Sequence, residues 1–235
     1  MPNYGDPKYW EDRYKDPKGS FDWLEDYKSL KPTIQKLNLS KENSRILNLG
    51  CGNSPFCENM YDDGFHSIDN IDISNNVIQI MKNRNIKRPE MTFQVMDVRN
   101  LNFNNSSVDL AVDKSTIDAL LCGDYAFLNV AKMLKEVIWV LKGIFIFFFI
   151  FFLFFLVGGY YMAISYGEPK NRTFHFQRKF LKFDIKTIKI SKGNGEDAKI
   201  HYIYLCKKLE GADQVAEKFY KQCLKEIDSS ADSKK

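Results

Sequence analysis

The stretch that most constrains this chain is Arg45-Ile46-Leu47-Asn48-Leu49-Gly50-Cys51-Gly52. A short apolar run that stops at two glycines reads as a buried strand entering a tight turn. Asn53 or Ser54 can cap the helix that follows. Pro55 suits that helix's first turn, where a missing N–H costs nothing. Strand and helix signals then alternate. Residues 67–73, 91–96, 108–112 and 160–165 read as strands, whereas 75–84 and 124–141 carry apolar residues at helical spacing. This order predicts an α/β domain with a mostly parallel sheet covered on both faces. Residues 181–190 and 199–207 are two further strand-like runs, joined by a polar loop with Gly193 and Gly195. Such a loop suits a hairpin, so the last pair should be antiparallel.

Composition narrows the setting. The chain has 235 residues, 44% hydrophobic and 27% charged, which fits one globular domain with a core of ordinary size. We expect that domain over 1–210, with an aromatic cap over 1–40, and a helix and polar tail over 211–235. The net charge of +4 is not gathered into a Lys/Arg face, so no nucleic-acid partner is expected. Cys51, Cys57, Cys122, Cys206 and Cys223 are scattered without C-x-x-C spacing, which argues against a metal site or a disulfide framework. The N-terminus shows neither a secretory nor a transit pattern, and a cytoplasmic monomer is expected.

Four features fall at the carboxyl ends of successive strands, where open α/β sheets bind ligands. At Gly50 and Gly52, glycine lets the backbone approach a ligand closely, ahead of a helix with free N–H groups. A purely structural turn fits those glycines equally well. Asp72, about twenty residues on, suits a carboxylate that accepts ribose hydroxyls. Met96-Asp97-Val98 is placed for an adenine amino group, and Asp113-Lys114 follows the next strand. Each acid alone also fits a helix cap or a solvated charge; in register they form a stronger signal. A dinucleotide fingerprint would want a small residue where Pro55 stands.

A family resemblance rests on these pieces and on three others. They are Tyr9-Trp10-Glu11-Asp12-Arg13-Tyr14, Phe21-Asp22-Trp23 and Asp113-Lys114-Ser115-Thr116-Ile117-Asp118-Ala119-Leu120. Together with Gly50-Cys51-Gly52-Asn53-Ser54, they resemble the lysine methyltransferases of translation elongation factor 1-alpha, across most of residues 4–207. The resemblance implies a Rossmann-like, seven-stranded class I methyltransferase sheet, mostly parallel with a C-terminal antiparallel hairpin. It implies S-adenosyl-methionine as cofactor and elongation factor 1-alpha as protein partner. By matched position, Trp10, Tyr14 and Trp23 would close over the cofactor, and Gly50 would line its methionine end. Asp72 and Ile73 would hold the ribose, Asp97 and Val98 would frame the adenine, and Lys114 would lie near the methyl donor. Ser115 stands where the family usually has glycine. Asp113 is the candidate proton acceptor or orienting group, and Tyr166 is a candidate wall of the substrate channel. His66, His175 and His201 lie outside the motifs and read as structural.

One segment does not belong with the rest. Residues 143–157, GIFIFFFIFFLFFLV, hold no charge, and they interrupt the place where the family runs from the helix through a proline and two glycines into the next strand. A membrane span needs about 20 apolar residues, which would consume the strand at 160–165. An exposed lipid-facing loop would invite aggregation, and membrane association is expected only if the tract is genuine. The favoured reading is a translated intron or gene-model error, because T-rich codons encode Phe, Leu, Ile and Val. Methyl transfer to a lysine side chain of a protein is the leading expectation. The alternatives are a small-molecule acceptor on the same fold, or cofactor binding without turnover.

Overall fold

The computed structural model describes residues 2–16, 19–143, 146–149, 152–155, 158–192 and 199–232. Helices α1 (Pro7–Arg13) and α2 (Tyr27–Gln35) precede β1 (Ile46–Leu49). Then come α3 (Phe56–Asp62), β2 (Ile68–Asp72), α4 (Asn75–Arg84), β3 (Thr92–Val95), β4 (Leu110–Lys114), α5 (Thr116–Leu121) and α6 (Ala126–Val140). After β5 (Ile146–Phe149) and β6 (Phe152–Phe155) follow β7 (Tyr160–Ser165), α7 (Pro169–Phe176), β8 (Phe183–Lys192), β9 (Lys199–Lys208) and α8 (Ala212–Asp232).

Seven strands form one sheet in the order β3-β2-β1-β4-β7-β9-β8. The first five run parallel, while β9 lies antiparallel to both β7 and β8. This is the expected seven-stranded, Rossmann-like architecture with its C-terminal antiparallel pair. The loop expected to join that pair falls at 193–198, outside the described residues. The strand parity sorts the core into two layers. Leu47, Leu49, Ala111, Tyr161 and Tyr204 meet α6, α7 and α8, whereas Ile46, Leu110, Val112, Met162 and Ile203 meet α2, α3 and α4.

Some boundaries differ from expectation for physical reasons. The strand expected from residue 108 begins at Leu110, because Val108 makes an isolated bridge to Leu141 at the end of α6. Pro55 precedes α3 rather than opening it, and the Ser54 hydroxyl accepts from the Phe56 N–H at 3.1 Å.

The apolar tract leaves the sheet intact. β5 and β6 pair with each other antiparallel and stand apart from the seven strands. Lys142 and Gly159, on either side of the tract, meet: the Gly159 N–H donates to the Lys142 carbonyl at 2.8 Å. This junction lies at the amino ends of β4 and β7, since Lys142 N–H donates to Val108 O and Tyr160 N–H to Asp109 O. Among the described residues no helix is long and apolar enough to cross a membrane.

Candidate active site

The strand order places β1 and β4 side by side although the chain visits β2 and β3 between them. A crevice opens at such a reversal, outside the carboxyl ends of the strands. A cavity of about 850 Å³ lies there. Gly50 at φ +65° and Gly52 at φ +52° turn the chain after β1. A side chain at Gly50 would collide with Thr116 Oγ1 at 2.1 Å, so the turn can pack against the start of α5 only with glycine. Asp72 braces this turn from the end of β2, its Oδ2 accepting from the Gly52 N–H at 2.9 Å and its Oδ1 from Ser74 N–H at 3.0 Å. Burial raises its pKa above the usual carboxylate range, against the pull of those backbone donors.

The end of β3 supplies the next wall. Asp97 receives a bidentate fork from Arg99, with Nη2 to Oδ2 at 2.6 Å and Nε to Oδ1 at 2.9 Å, while Arg99 Nη1 donates to Asn129 on α6. Partial burial works to raise the Asp97 pKa, but the bonds from Arg99 outweigh it and hold the group low. Ile73, Met96 and Val98 complete this side of the cavity.

The N-terminal segment closes the top. Trp10 stacks on Tyr14 with centroids 6.2 Å apart and meets Trp23 edge-on at 6.1 Å, and all three rings line the cavity. Burial drives the Tyr14 phenol strongly upward, keeping it protonated. Glu11 docks α1 on the N-terminus of α4, its Oε2 accepting from Ser74 Oγ at 2.6 Å and from the Asn76 N–H at 3.3 Å. Asp22 is bonded by Ser54 Oγ and, at 2.5 Å, by Lys114 Nζ; Lys114 also donates to Trp23 O at 3.2 Å. Lys114 is therefore a strut under the cap as well as a cavity wall. Burial lowers its pKa, and Asp22 opposes the shift.

Trp10, Tyr14, Trp23, Gly50, Gly52, Asp72, Ile73, Asp97, Val98, Lys114 and Tyr166 thus line one cavity. Asp113 does not. Its carboxylate is fully buried, accepting from Thr116 N–H at 2.7 Å, from Ile117 N–H at 3.1 Å and from the Tyr161 hydroxyl at 2.7 Å. It caps α5 from inside the core and cannot reach a ligand, so the acceptor role expected for it is withdrawn. At the start of α5 the acid that reaches the cavity is instead Asp118, bonded to Arg172 at 2.7 Å, to Ser165 Oγ at 2.5 Å and to the Tyr166 N–H at 3.1 Å. Ser115 sits at φ +73°, which explains why glycine suits that position.

Asp118, Glu11 and Asp22 were all inside the motifs, yet spacing gave them no role. Their partners come from other elements. His175 also joins the wall, beside Phe127 and Phe174. Burial, reinforced by Arg178 and Arg172, lowers its pKa to about 3, so it is neutral.

Comparisons with known proteins agree with this geometry. A family described as "Methyltransferase domain" matches residues 40–148. The mouse eEF1A lysine and N-terminal methyltransferase is 36% identical over 182 residues, covering 74% of this chain and 24% of that protein. The chain carries a methyltransferase domain. The mouse EEF1A lysine methyltransferase 4 is 36% identical over 123 residues, 52% of this chain and 48% of that one. The chain thus spans about a quarter of the first relative's length and about half of the second's. Among solved structures, SAM-dependent methyltransferases from Methanosarcina mazei superpose with a TM-score of 0.54 at 16% identity, covering 76% of this chain and 98% of theirs. The Burkholderia thailandensis 1,6-didemethyltoxoflavin-N1-methyltransferase, solved with S-adenosylhomocysteine, gives 0.53 at 9% identity, covering 78% and 76%. At these identities the structures speak for the fold alone.

The cavity fits the cofactor that such a domain implies, S-adenosyl-methionine. The glycine cradle would be filled by any Cβ at Gly50, two carboxylates stand at the ends of β2 and β3, and the cavity is of ligand size. Among the described residues no group of acidic, Cys and His side chains is arranged to hold a metal.

Proposed function

We propose that this chain transfers a methyl group from S-adenosyl-methionine to a lysine side chain of a protein, translation elongation factor 1-alpha being the first candidate. The observation that carries this reading is the convergence on one cavity of the glycine turn, Asp72, Asp97 and the aromatic cap. Asp72 and Ile73 would hold the ribose, Asp97 and Val98 the adenine, and Gly50 with Gly52 the methionine end. Trp10, Tyr14 and Trp23 would cover the cofactor. The protein-lysine assignment is supported by the names of its relatives.

S-adenosyl-methionine supplies an already activated methyl group when bound. The chain's task is to hold an amine in line and keep water out, which can remove roughly 7–11 kcal/mol of the barrier. Beyond the cofactor side, the cavity is walled by Phe127, Phe174 and Tyr166, whose rings are all substantially exposed. Such walls suit the apolar stem of a lysine side chain. The Asp118 charge is already balanced by Arg172. Exposed aromatic walls beside an already paired carboxylate favour a neutral amine, which is the form that attacks.

The test is to incubate the protein with labelled cofactor and a cell lysate. One labelled band at the size of elongation factor 1-alpha supports the proposal. Label confined to small molecules, or cofactor binding without transfer, would overturn the acceptor assignment.

A further inference from the structure

Trp23 reaches the cavity from a strained turn. Leu24 sits at φ +62°, and the Glu25 N–H donates to the Trp23 carbonyl two residues back at 2.8 Å. That is a γ-turn of the uncommon left-handed kind, which a branched side chain adopts only when its surroundings hold it there. Both ends of the turn are held. On one side Lys114 Nζ donates to Trp23 O at 3.2 Å. On the other, the fully buried Glu25 carboxylate meets His201 Nδ1 on β9 at 2.7 Å, and Ser29 Oγ donates to its second oxygen at 2.7 Å. The two partners lie 176 positions apart in the chain. The His201 ring also packs edge-on against Tyr166, another residue of the cavity wall, centroids 4.8 Å apart.

We infer that His201 and Glu25 are positioning residues that pin the Trp23–Glu25 turn in its strained form, and so set Trp23 over the bound cofactor. This inference rests on the cofactor reading of the cavity. Without the pin, a leucine at positive φ relaxes to an extended or helical backbone, and Trp23 leaves the wall. The bond matters here, not the filling of space, because what must be resisted is a rotation of the backbone between Trp23 and Glu25.

The experiment is calorimetric titration of S-adenosyl-homocysteine into the full chain and three variants. His201→Asn keeps a δ-nitrogen donor but loses the ring; His201→Phe keeps a ring but loses the donor. The double variant Glu25→Leu/His201→Phe fills the core with apolar groups and leaves no unpaired acid, so it keeps the comparison valid if His201→Phe alone does not fold. The expected result is affinity within about twofold of the parent for His201→Asn, and a loss of about tenfold for the other two, the scale of one charge-assisted hydrogen bond. A packing role predicts the reverse order. Parent-like binding by the double variant, or a tenfold loss in His201→Asn, would overturn the inference. A parent chain that takes up no S-adenosyl-homocysteine would instead sink the cofactor reading.

Discussion

The bond between Gly159 N–H and Lys142 O makes a sharp prediction about the apolar tract. Deleting residues 144–157 leaves Lys142-Gly143-Gly158-Gly159, four residues whose ends already carry the i to i+3 hydrogen bond of a β-turn, at 2.8 Å. The remaining glycine pair can adopt any turn type, and Gly159 must stay glycine, because a Cβ there would meet Val108 O at 2.8 Å. The gain follows from loop closure. Sixteen residues now separate Lys142 from Gly159, and two would remain, so (3/2)RT ln(16/2) gives about 1.8 kcal/mol of added stability. For a domain of this size that raises the melting temperature by about 4–7 °C. Removing 143–157 instead leaves one residue between the partners, so the bond could close only as a strained γ-turn, and this deletion should be worse than the shorter one by about 1 kcal/mol. Scanning calorimetry of the three proteins, with gel filtration to detect aggregates, measures both differences. A melting point below that of the full chain for the 144–157 deletion would refute the reasoning, since the tract would then support the core. The translated-intron proposal has its own check: a mature transcript that encodes the tract excludes it.

Three further outcomes follow from the site. Burial raises the Asp113 pKa to about 7, so its contribution to stability is complete below about pH 4 and is lost as pH rises through 7; the loss is at most about 4 kcal/mol. Asp113→Asn should flatten that part of a denaturant-derived stability profile; an unchanged slope between pH 4 and 8 would count against it. Ser115→Gly relieves a non-glycine residue at φ +73° and should stabilise the fold by about 1 kcal/mol, read as a rise in melting temperature. Asp72→Ala removes both the brace on the Gly52 N–H and the proposed ribose acceptor. It should weaken S-adenosyl-homocysteine binding by more than about tenfold, and calorimetric binding like that of the parent would remove Asp72 from the site.

Much of this molecule is legible one segment at a time. Ile46, Leu47 and Leu49 form a short apolar run that stops at Gly50, so β1 could be read as buried from that run alone, and Asn75–Arg84 carries its own cap in Ser74. The glycine turn, Asp72 and Asp97 were placed because a strand that ends at a known residue also fixes where its next side chain points. Asp113 shows the limit. Asp113 and Lys114 are adjacent on one strand, and period two sends them to opposite faces, but sequence could not say which face met solvent. The packing of α5 and Tyr161 against Asp113 decided that. Asp118 was likewise written in the motif, while its partners Ser165 and Arg172 come from β7 and α7.

The sequence by itself determined the alternating architecture, the class of ligand that its strand ends suit, and the uncharged, apolar character of residues 143–157. Tertiary structure decided that Asp118 rather than Asp113 reaches the cavity, how Lys114 and Glu11 fasten the cap, and that His201 meets Glu25. It also showed the flanks of the tract joined by the hydrogen bond from Gly159 N–H to Lys142 O. The division has a physical cause. Period and turn chemistry are local and act within a few residues, whereas burial of a charge and its pairing are settled only when distant elements close over it.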